Sequence, residues 1–206
     1  MRRTTKIHNL NLMRHLPTVA LTVVLACGAS AIVSAASANT TVSSDLSAVI
    51  SVSSSGTVTD NVTPSGGGVQ TIASDSVSVS TNDSSGYTLQ IAETTGASAL
   101  TSGSNTIPAT AGTWAAPAVM AVNTWGYRVD GDGSFSAGIT SPQSSAAISG
   151  TINFAAVPAT ASPRTIKTTS GTASNDVTTV WYGVAANTTQ PSGTYTNGVT
   201  YTATAN

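Results

Sequence analysis

Beyond residue 38 the sequence has neither histidine nor cysteine, and charged residues make up only 7% of the whole chain. Histidine and cysteine are the usual groups that exchange protons or attack substrates near neutral pH. Their shortage argues against an enzyme. It also leaves no disulfide to support the fold, which favours a bacterial over a eukaryotic secreted protein. The histidines, the cysteine, the cations beyond residue 38 and the single glutamate are His8, His15, Cys27, Arg128, Arg164, Lys167 and Glu93.

Positive charge is scarce as well. The whole chain has a formal charge of −1, but four of its seven cations lie before residue 39. The remainder has three cations against eight carboxylates, a formal charge of −5. Binding to nucleic acid depends on clustered lysine and arginine that neutralise phosphates. The sequence therefore argues against a nucleic-acid partner.

The N-terminus has the three parts of a secretory signal peptide. A basic leader (Arg2, Arg3, Lys6 and Arg14) precedes the apolar run at residues 16–33, and small residues follow at 36–38. We expect residues 1–38 to be a signal peptide, forming a helix, with cleavage after Ala38 and a second candidate cut after Ala35. This predicts an extracellular or cell-surface protein.

Three other interpretations of this segment stay open. The apolar run of about 18 residues is near the lower limit for an uncleaved membrane anchor. The sequence around Cys27 partly matches a bacterial lipobox, in which the cysteine would carry a lipid. Arg2 and Arg3 also suggest twin-arginine export. Membrane contact is expected only through this segment or a lipid on Cys27.

Alternation of apolar and polar residues at a spacing of two recurs beyond the leader, as in half-buried β-strands. Turn-forming clusters rich in Gly, Pro and Asn separate the alternating runs. The pattern predicts an all-β fold: an antiparallel immunoglobulin-like β-sandwich of seven to ten strands, forming a single domain over residues 39–206. The alternating positions are Leu46–Val52, Val77–Val79, Tyr87–Ile91, Trp125–Val129, Ile148–Phe154, Val180–Val184 and Tyr195–Ala203.

Residues 94–124 are the least regular part of this domain, and we expect a long loop over one end of the sandwich. Single helical turns are candidates at residues 97–100 and 115–120. Tyr87 and Tyr195 follow glycine-containing turns, so each is expected to donate its hydroxyl to a nearby backbone carbonyl, as the corner tyrosine of immunoglobulin-like domains does.

The run from Asp130 to Gly133 (Asp-Gly-Asp-Gly) is the most metal-like feature of the sequence. Carboxylates in a glycine-rich loop can bind calcium, but calcium needs six to eight oxygen ligands and only two carboxylates occur here. Asp-Gly is also a strong turn signal. We interpret the run as a hairpin turn between residues 125–129 and 134–139.

Three tryptophans, Trp114, Trp125 and Trp181, are candidates for a sugar-binding platform. The preferred interpretation is burial in the core. Trp125 shares a strand face with Tyr127, so both should be buried together. Trp181 and Tyr182 are neighbours on opposite faces, so one of them should be exposed or lie under a loop.

The carboxylates are spread along the chain, mostly in turn-like contexts. We interpret them as solvated turn and strand-end residues rather than the paired acids of a glycosidase. A serine nucleophile would depend on Lys167 alone for its base. The sequence therefore predicts no catalytic residue, no cofactor-binding residue and no metal ligand. The acids concerned are Asp45, Asp60, Asp75, Asp83, Glu93, Asp130, Asp132 and Asp176.

A set of motifs in this order resembles small exported Ser/Thr-rich surface proteins of Saccharibacteria and related ultrasmall bacteria (Patescibacteria): Val77 to Asn82, Gly86 to Leu89, Trp125 to Tyr127, Tyr182 to Val184, Gln190 to Thr196 and Val199 to Ala203. The closing Pro-Ser-Gly-Thr-Tyr stretch is similar to ones in pilin-like and WxL-type surface domains. The Trp-x-Leu signature is missing, so peptidoglycan attachment of that type is not expected. The resemblance implies a location and a fold, and no activity.

Together these features predict an exported, non-catalytic cell-surface protein with a role in adhesion or envelope structure. Its expected partners are the cell envelope, neighbouring surface proteins or glycans, and no cofactor is expected. One alternative is a pilin-like fibre subunit in which residues 42–52 complete the sheet of a neighbour, although pairing inside the same domain is preferred. Another is a carbohydrate-binding module.

Overall fold

The computed structural model describes residues 35–132, 134–135, 138–139 and 141–206. Residues 45–206 form one compact unit. The predicted signal helix falls on residues that lie outside the described part. Within that part every regular element is a β-strand, so the predicted all-β class is confirmed.

The described part contains twelve strands where seven to ten were expected. The excess arises because four of them, β4, β5, β6 and β9, have only two or three residues and are too short to show alternation. The strands are β1 Ile50–Ser53, β2 Val69–Thr81, β3 Tyr87–Glu93, β4 Leu100–Ser102, β5 Asn105–Ile107, β6 Ala118–Val119, β7 Thr124–Val129, β8 Gln143–Ala146, β9 Asn153–Phe154, β10 Arg164–Thr168, β11 Ala173–Ala186 and β12 Val199–Ala205.

Two sheets dominate the fold. The larger has the order β1-β2-β11-β7, and β8 pairs with the other end of β2. The smaller has the order β10-β3-β12. The hairpin β4–β5 and the pair β6–β9 form two further small sheets. All ladders between these strands are antiparallel, as the sequence predicts.

The main core lies between the two large sheets. It receives alternate residues of β2, β7 and β11 from one side and of β3 and β10 from the other. Alternation explains this directly, since residues two apart in a strand point to the same face. Its most buried members include Val77, Val79, Tyr87, Leu89, Ile91, Tyr127 and Val180.

A second core covers the opposite face of the large sheet. Trp181 and Ala185 of β11 and Ile72 of β2 pack there against Phe154 of β9 and Met120 of the connection between β6 and β7. Gly183 makes this packing fit, because a Cβ at that position would lie 2.8 Å from side-chain atoms of both Met120 and Phe154. The end of β11 is therefore buried on both faces, which alternation alone does not indicate.

Several predicted elements differ in the structure. Leu46 and Ala48 are exposed and precede β1, so only the last part of the run at 46–52 is a strand. Of the run at 148–154 only β9 is a strand. The predicted helical turns at 97–100 and 115–120 are wrong, because the first leads into β4 and the second includes β6. Residues 94–124 instead hold a hairpin and one short strand.

Candidate functional site

A cavity of about 690 Å³ opens between the two large sheets. One wall comes from β2 and β11, and the other from β12 and the segment before it. Residues 54–64 form a covering segment that runs along the cavity without joining a strand. Val58 and Val62 anchor this segment by packing against the main core.

Two carboxylates, Asp60 and Asp75, line this cavity. Asp75 lies in β2 on the same face as Val77, so its side chain points between the sheets. It is 5% exposed and accepts hydrogen bonds from Ser55, one from the backbone N at 2.9 Å and a short one from the hydroxyl. Asp75 therefore ties the covering segment to the large sheet.

A pair of tyrosines extends this polar cluster. The hydroxyls of Tyr182 on β11 and Tyr201 on β12 lie 2.7 Å apart, which links the two sheets through one hydrogen bond. Burial raises the pKa of both hydroxyls, and the nearby Asp75 raises them further. Both tyrosines thus stay protonated at neutral pH and can donate hydrogen bonds inside the cavity.

Asp60 differs from Asp75 because nothing in the described structure donates to it. Its side chain is half-buried, and its Oδ1 atom is buried without a hydrogen-bond partner. Burial without a donor raises the pKa of Asp60 to about 7, since the charged form loses its hydration. The cavity thus holds one carboxylate that accepts two hydrogen bonds at Oδ1 and one whose buried Oδ1 lacks a donor.

The structure corrects the interpretation of the carboxylates as solvated residues at three positions. Asp75 is buried inside a long strand, Asp60 is half-buried, and Glu93 is 2% exposed with its Oε1 atom unpartnered. Burial also raises the pKa of Glu93. Glu93 does not line the cavity, so it is not paired there with Asp60 or Asp75. Asp60 and Asp75 are far apart in the sequence, so their sharing of one cavity could not be seen there.

Asp130 is occupied by hydrogen bonds within the protein. It accepts one from the indole Nε1 of Trp181 at 2.6 Å, one from Arg128 Nε at 3.2 Å, and one from the backbone N of Ile139 at 3.2 Å. In the described part of the chain no group of three His, Cys, Asp or Glu side chains could hold a metal ion. Asp130 therefore serves to order this corner of the fold.

The turn at Asp130 and Gly131 forms as expected, and Gly131 has a positive φ of 83°. The predicted hairpin is wrong, because β7 pairs with β11 and the described residues among 134–139 carry no strand. Long-range pairing with the buried β11 takes the place of the local hairpin.

The tryptophans are mostly part of the core. Trp125 and Trp181 are 3% and 5% exposed, and Tyr127 is buried beside Trp125 as expected. Trp181 packs against Met120 of the loop between β6 and β7, which confirms the prediction that one of the Trp181–Tyr182 pair lies under a loop. Trp114 is half-buried, stacks near Tyr127 and lies 4.8 Å below the guanidinium of Arg164. These positions do not form a flat sugar platform.

The two candidate corner tyrosines behave differently. The hydroxyl of Tyr195 donates to the backbone oxygen of Pro191 at 2.7 Å, so this prediction is confirmed. The hydroxyl of Tyr87 instead donates to Asp176 Oδ2 at 2.7 Å. Asp176 also pairs with Lys167 at 2.6 Å, which lowers the pKa of this carboxyl. Lys167 is thus part of an ion pair that joins β10 to β11.

We expect Asp176→Ala to lower the free energy of unfolding by about 1–3 kcal/mol at pH 7, because the buried Tyr87 hydroxyl then lacks an acceptor. Lys167→Met should cost less than about 1 kcal/mol, because the pair with Asp176 is partly exposed to solvent. Urea unfolding at pH 7 measures both. Equal losses of stability in the two variants would contradict the role of Asp176 as the acceptor for the Tyr87 hydroxyl.

The same network has a pH dependence with a definite sign. The pKa of Asp176 is lowered in the folded protein. Its contribution to the free energy of unfolding is therefore complete above the ordinary carboxyl pKa and is lost as pH falls through the pKa of the folded protein. The difference between wild type and Asp176→Ala should therefore shrink when unfolding is measured well below pH 4, the usual carboxyl range.

Comparison of the chain with protein-family models, curated proteins and solved structures gives no match. In the part of the chain that the structure describes, no helix has the length and hydropathy needed to cross a bilayer.

Proposed function

We propose that the chain is an exported, non-catalytic protein of the bacterial cell surface, like the small surface proteins of Saccharibacteria, with a role in adhesion or envelope structure. Residues 1–38 act as the signal peptide and residues 39–206 as one domain. The observation that carries this proposal is the hydroxyl-rich outer surface of the sandwich. Thr200, Thr202 and Thr204 of β12 face solvent, for example, while the strand's apolar residues face inward.

The charged groups of the domain support a structural role. Arg128 pairs with Asp130, Lys167 pairs with Asp176, and Arg164 lies over the ring of Trp114. Each of these contacts joins segments distant in sequence or fixes the end of a strand. The three cations beyond the leader thus help to hold the sandwich together.

We further propose that the sandwich is immunoglobulin-like. The support is the corner formed by Tyr195, whose hydroxyl reaches the carbonyl four residues earlier at the approach to β12. A tyrosine in this position and with this bond is typical of Greek-key sandwiches of that class. Two facing antiparallel sheets of unequal size agree with it.

Export is tested by expressing the full chain in a bacterial host and analysing the surface fraction by mass spectrometry. We expect a protein that begins at Asn39 and is removed by protease added to intact cells. If the protein in that fraction carries a lipid on Cys27 or an intact leader, the proposed location stands. The protein would then be attached to the membrane through that segment. Intact protein confined to the cytoplasm would refute the proposal.

A matched pair of variants sharpens this test. Leu21→Arg together with Leu25→Arg interrupts the apolar run of the leader and should abolish export. Leu46→Arg adds charge at a side chain that is 82% exposed in the folded unit, so export should be unaffected. Equal export of both variants would contradict a role for the leader.

A fibre subunit is the second candidate function, and one observation favours it. Val42, Leu46 and Val49 are 89%, 82% and 67% exposed, and none of them lies in a strand. The preferred pairing inside the same domain is found only for residues 50–53, which pair with β2. Asn82 also hydrogen-bonds the backbone of Ser47 and Val49, so residues 42–46 are the part available to extend the sheet of a second copy.

Polymerisation tests this candidate. Static light scattering of the full chain should show polymers that grow with concentration, and deletion of residues 39–46 should remove them. A double substitution of Val42 and Leu46 by Ser offers a control that keeps the length of the chain. If wild type and both variants scatter alike at every concentration, the fibre role is wrong.

A further inference from the structure

The cavity beneath residues 54–64 combines features that the structural role does not use. Its volume, about 690 Å³, lies in the range of small-molecule sites, roughly 300–1,000 Å³. Aliphatic and aromatic side chains form one part of its lining, and polar residues of the segments 54–64 and 190–197 form the other. Leu100, Ile107, Trp125, Val184 and Val199 supply the apolar wall.

We propose that this cavity binds a small organic ammonium ion, with the charged nitrogen held by Asp60 and the apolar body lying along the aliphatic and aromatic wall. Asp60 is the group that lacks a donor, because its Oδ1 atom has no hydrogen-bond partner. Asp75, the other carboxylate, already accepts two hydrogen bonds from Ser55. An ammonium group supplies the donors that Asp60 lacks.

Charge selects a cation over an anion. Among the described residues that line the cavity there is no lysine or arginine, whereas two carboxylates face it. The cations Arg128, Arg164 and Lys167 are engaged elsewhere in the fold. Tyr182, Tyr195 and Tyr201 also line the cavity, and aromatic rings attract cations. A bound anion would meet no compensating charge.

The state of Asp60 makes binding depend on pH. Its pKa is raised to about 7, so the carboxylate that holds the ammonium forms as pH rises through neutrality. The other titratable groups of the cavity are Asp75, Tyr182, Tyr195 and Tyr201. The pKa values of Tyr182 and Tyr201 are raised by burial, so these hydroxyls stay protonated throughout.

Titration calorimetry of the full chain with n-pentylammonium and n-pentanol tests the proposal, because the two probes share an apolar body and differ in charge. At pH 8 the ammonium should bind about tenfold or more tightly than the alcohol, since a hydrogen bond to a charged group is the stronger one. Its affinity should fall about 10- to 100-fold between pH 8 and pH 5. The alcohol should show no such dependence.

Substitution of the acid completes the test. Asp60→Asn should weaken binding of n-pentylammonium at pH 8 about tenfold or more, whereas Asp45→Asn, an equal loss of charge at an exposed site, should leave it unchanged. Equal affinity for amine and alcohol, absence of amine binding at pH 8, or binding indifferent to Asp60 would overturn the proposal. So would Ca²⁺ binding that depends on Asp60 in the absence of amine binding. The pH comparison in wild type decides the question even if the variant fails to fold.

Discussion

Gly86→Ala is expected to destabilise the folded protein severely. Gly86 precedes β3 with a φ of 89°, a conformation that L-residues rarely adopt. A Cβ atom there would lie 2.2 Å from the backbone oxygen of Thr169 and 2.6 Å from its carbon. Backbone atoms cannot rotate out of the way as a side chain can, so the start of β3 and the end of β10 must move apart.

The separation would break hydrogen bonds that hold the smaller sheet together. Thr169 N donates to Tyr87 O at 2.9 Å, and Asn206 N donates to Gly86 O at 3.1 Å. We expect a loss above about 4 kcal/mol, a large share of the 5–15 kcal/mol by which domains are stable. Circular dichroism and urea unfolding measure it, and a variant within 2 kcal/mol of wild type would contradict the expected clash.

Gly103→Ala is the matched control. Gly103 lies in the β4–β5 turn with a φ of 60°, and no atom lies within 4 Å of the Cβ position. Only the cost of a left-handed alanine remains, about 1–2 kcal/mol. The difference between the two variants isolates the clash from the backbone strain.

Asp60→Asn should stabilise the protein at pH 8 and have little effect at pH 4. The pKa of Asp60 is raised to about 7 in the folded protein, well above the usual carboxyl range. Because this pKa is raised on folding, the contribution of Asp60 to the free energy of unfolding is complete below the pKa of the unfolded chain. It is lost as pH rises through the pKa of the folded protein. Wild type therefore loses stability between about pH 4 and pH 8, and an uncharged amide of the same shape does not.

The size of this effect follows from the shift and from the exposure of the group. Each unit of pKa corresponds to about 1.4 kcal/mol, and partial exposure of Asp60 reduces the total to about 1–3 kcal/mol. Urea unfolding of wild type and Asp60→Asn at both pH values gives the result. Asp45→Asn, at an exposed position outside the strands, serves as the control for net charge. A variant less stable than wild type at pH 8 would show that Asp60 has a favourable partner.

Alternation identified much of the core correctly. The alternate apolar residues of β2, β3 and β7 point inward as predicted: Val77, Val79, Tyr87, Leu89, Ile91, Trp125, Tyr127 and Val129. Each belongs to a strand with one clear apolar face, so the local pattern and the tertiary environment agree. The strands β8 and β10 escaped notice because serine, threonine, lysine and glutamine fill most of their positions. Pairing with β2 and β3 makes them strands, and a local pattern does not encode that pairing.

Sequence analysis did not place the two acids of the candidate site together. Asp60 and Asp75 are 15 residues apart and looked like unrelated polar positions. Asp75 does interrupt the apolar alternation of β2, since it occupies an inward position where an apolar residue is usual. An acid at such a position is a signal that was available and that points to a buried polar cluster.

The sequence by itself determined the all-β class, the inward faces of the long strands and the corner bond of Tyr195, because spacing along the chain sets these features locally. Only the tertiary structure decided the double burial of β11, the partners of Asp130 and Asp176, and the cavity that Asp60 and Asp75 share. Each of these depends on segments distant in sequence coming together, and the desolvation that shifts a carboxyl group exists only once they have done so.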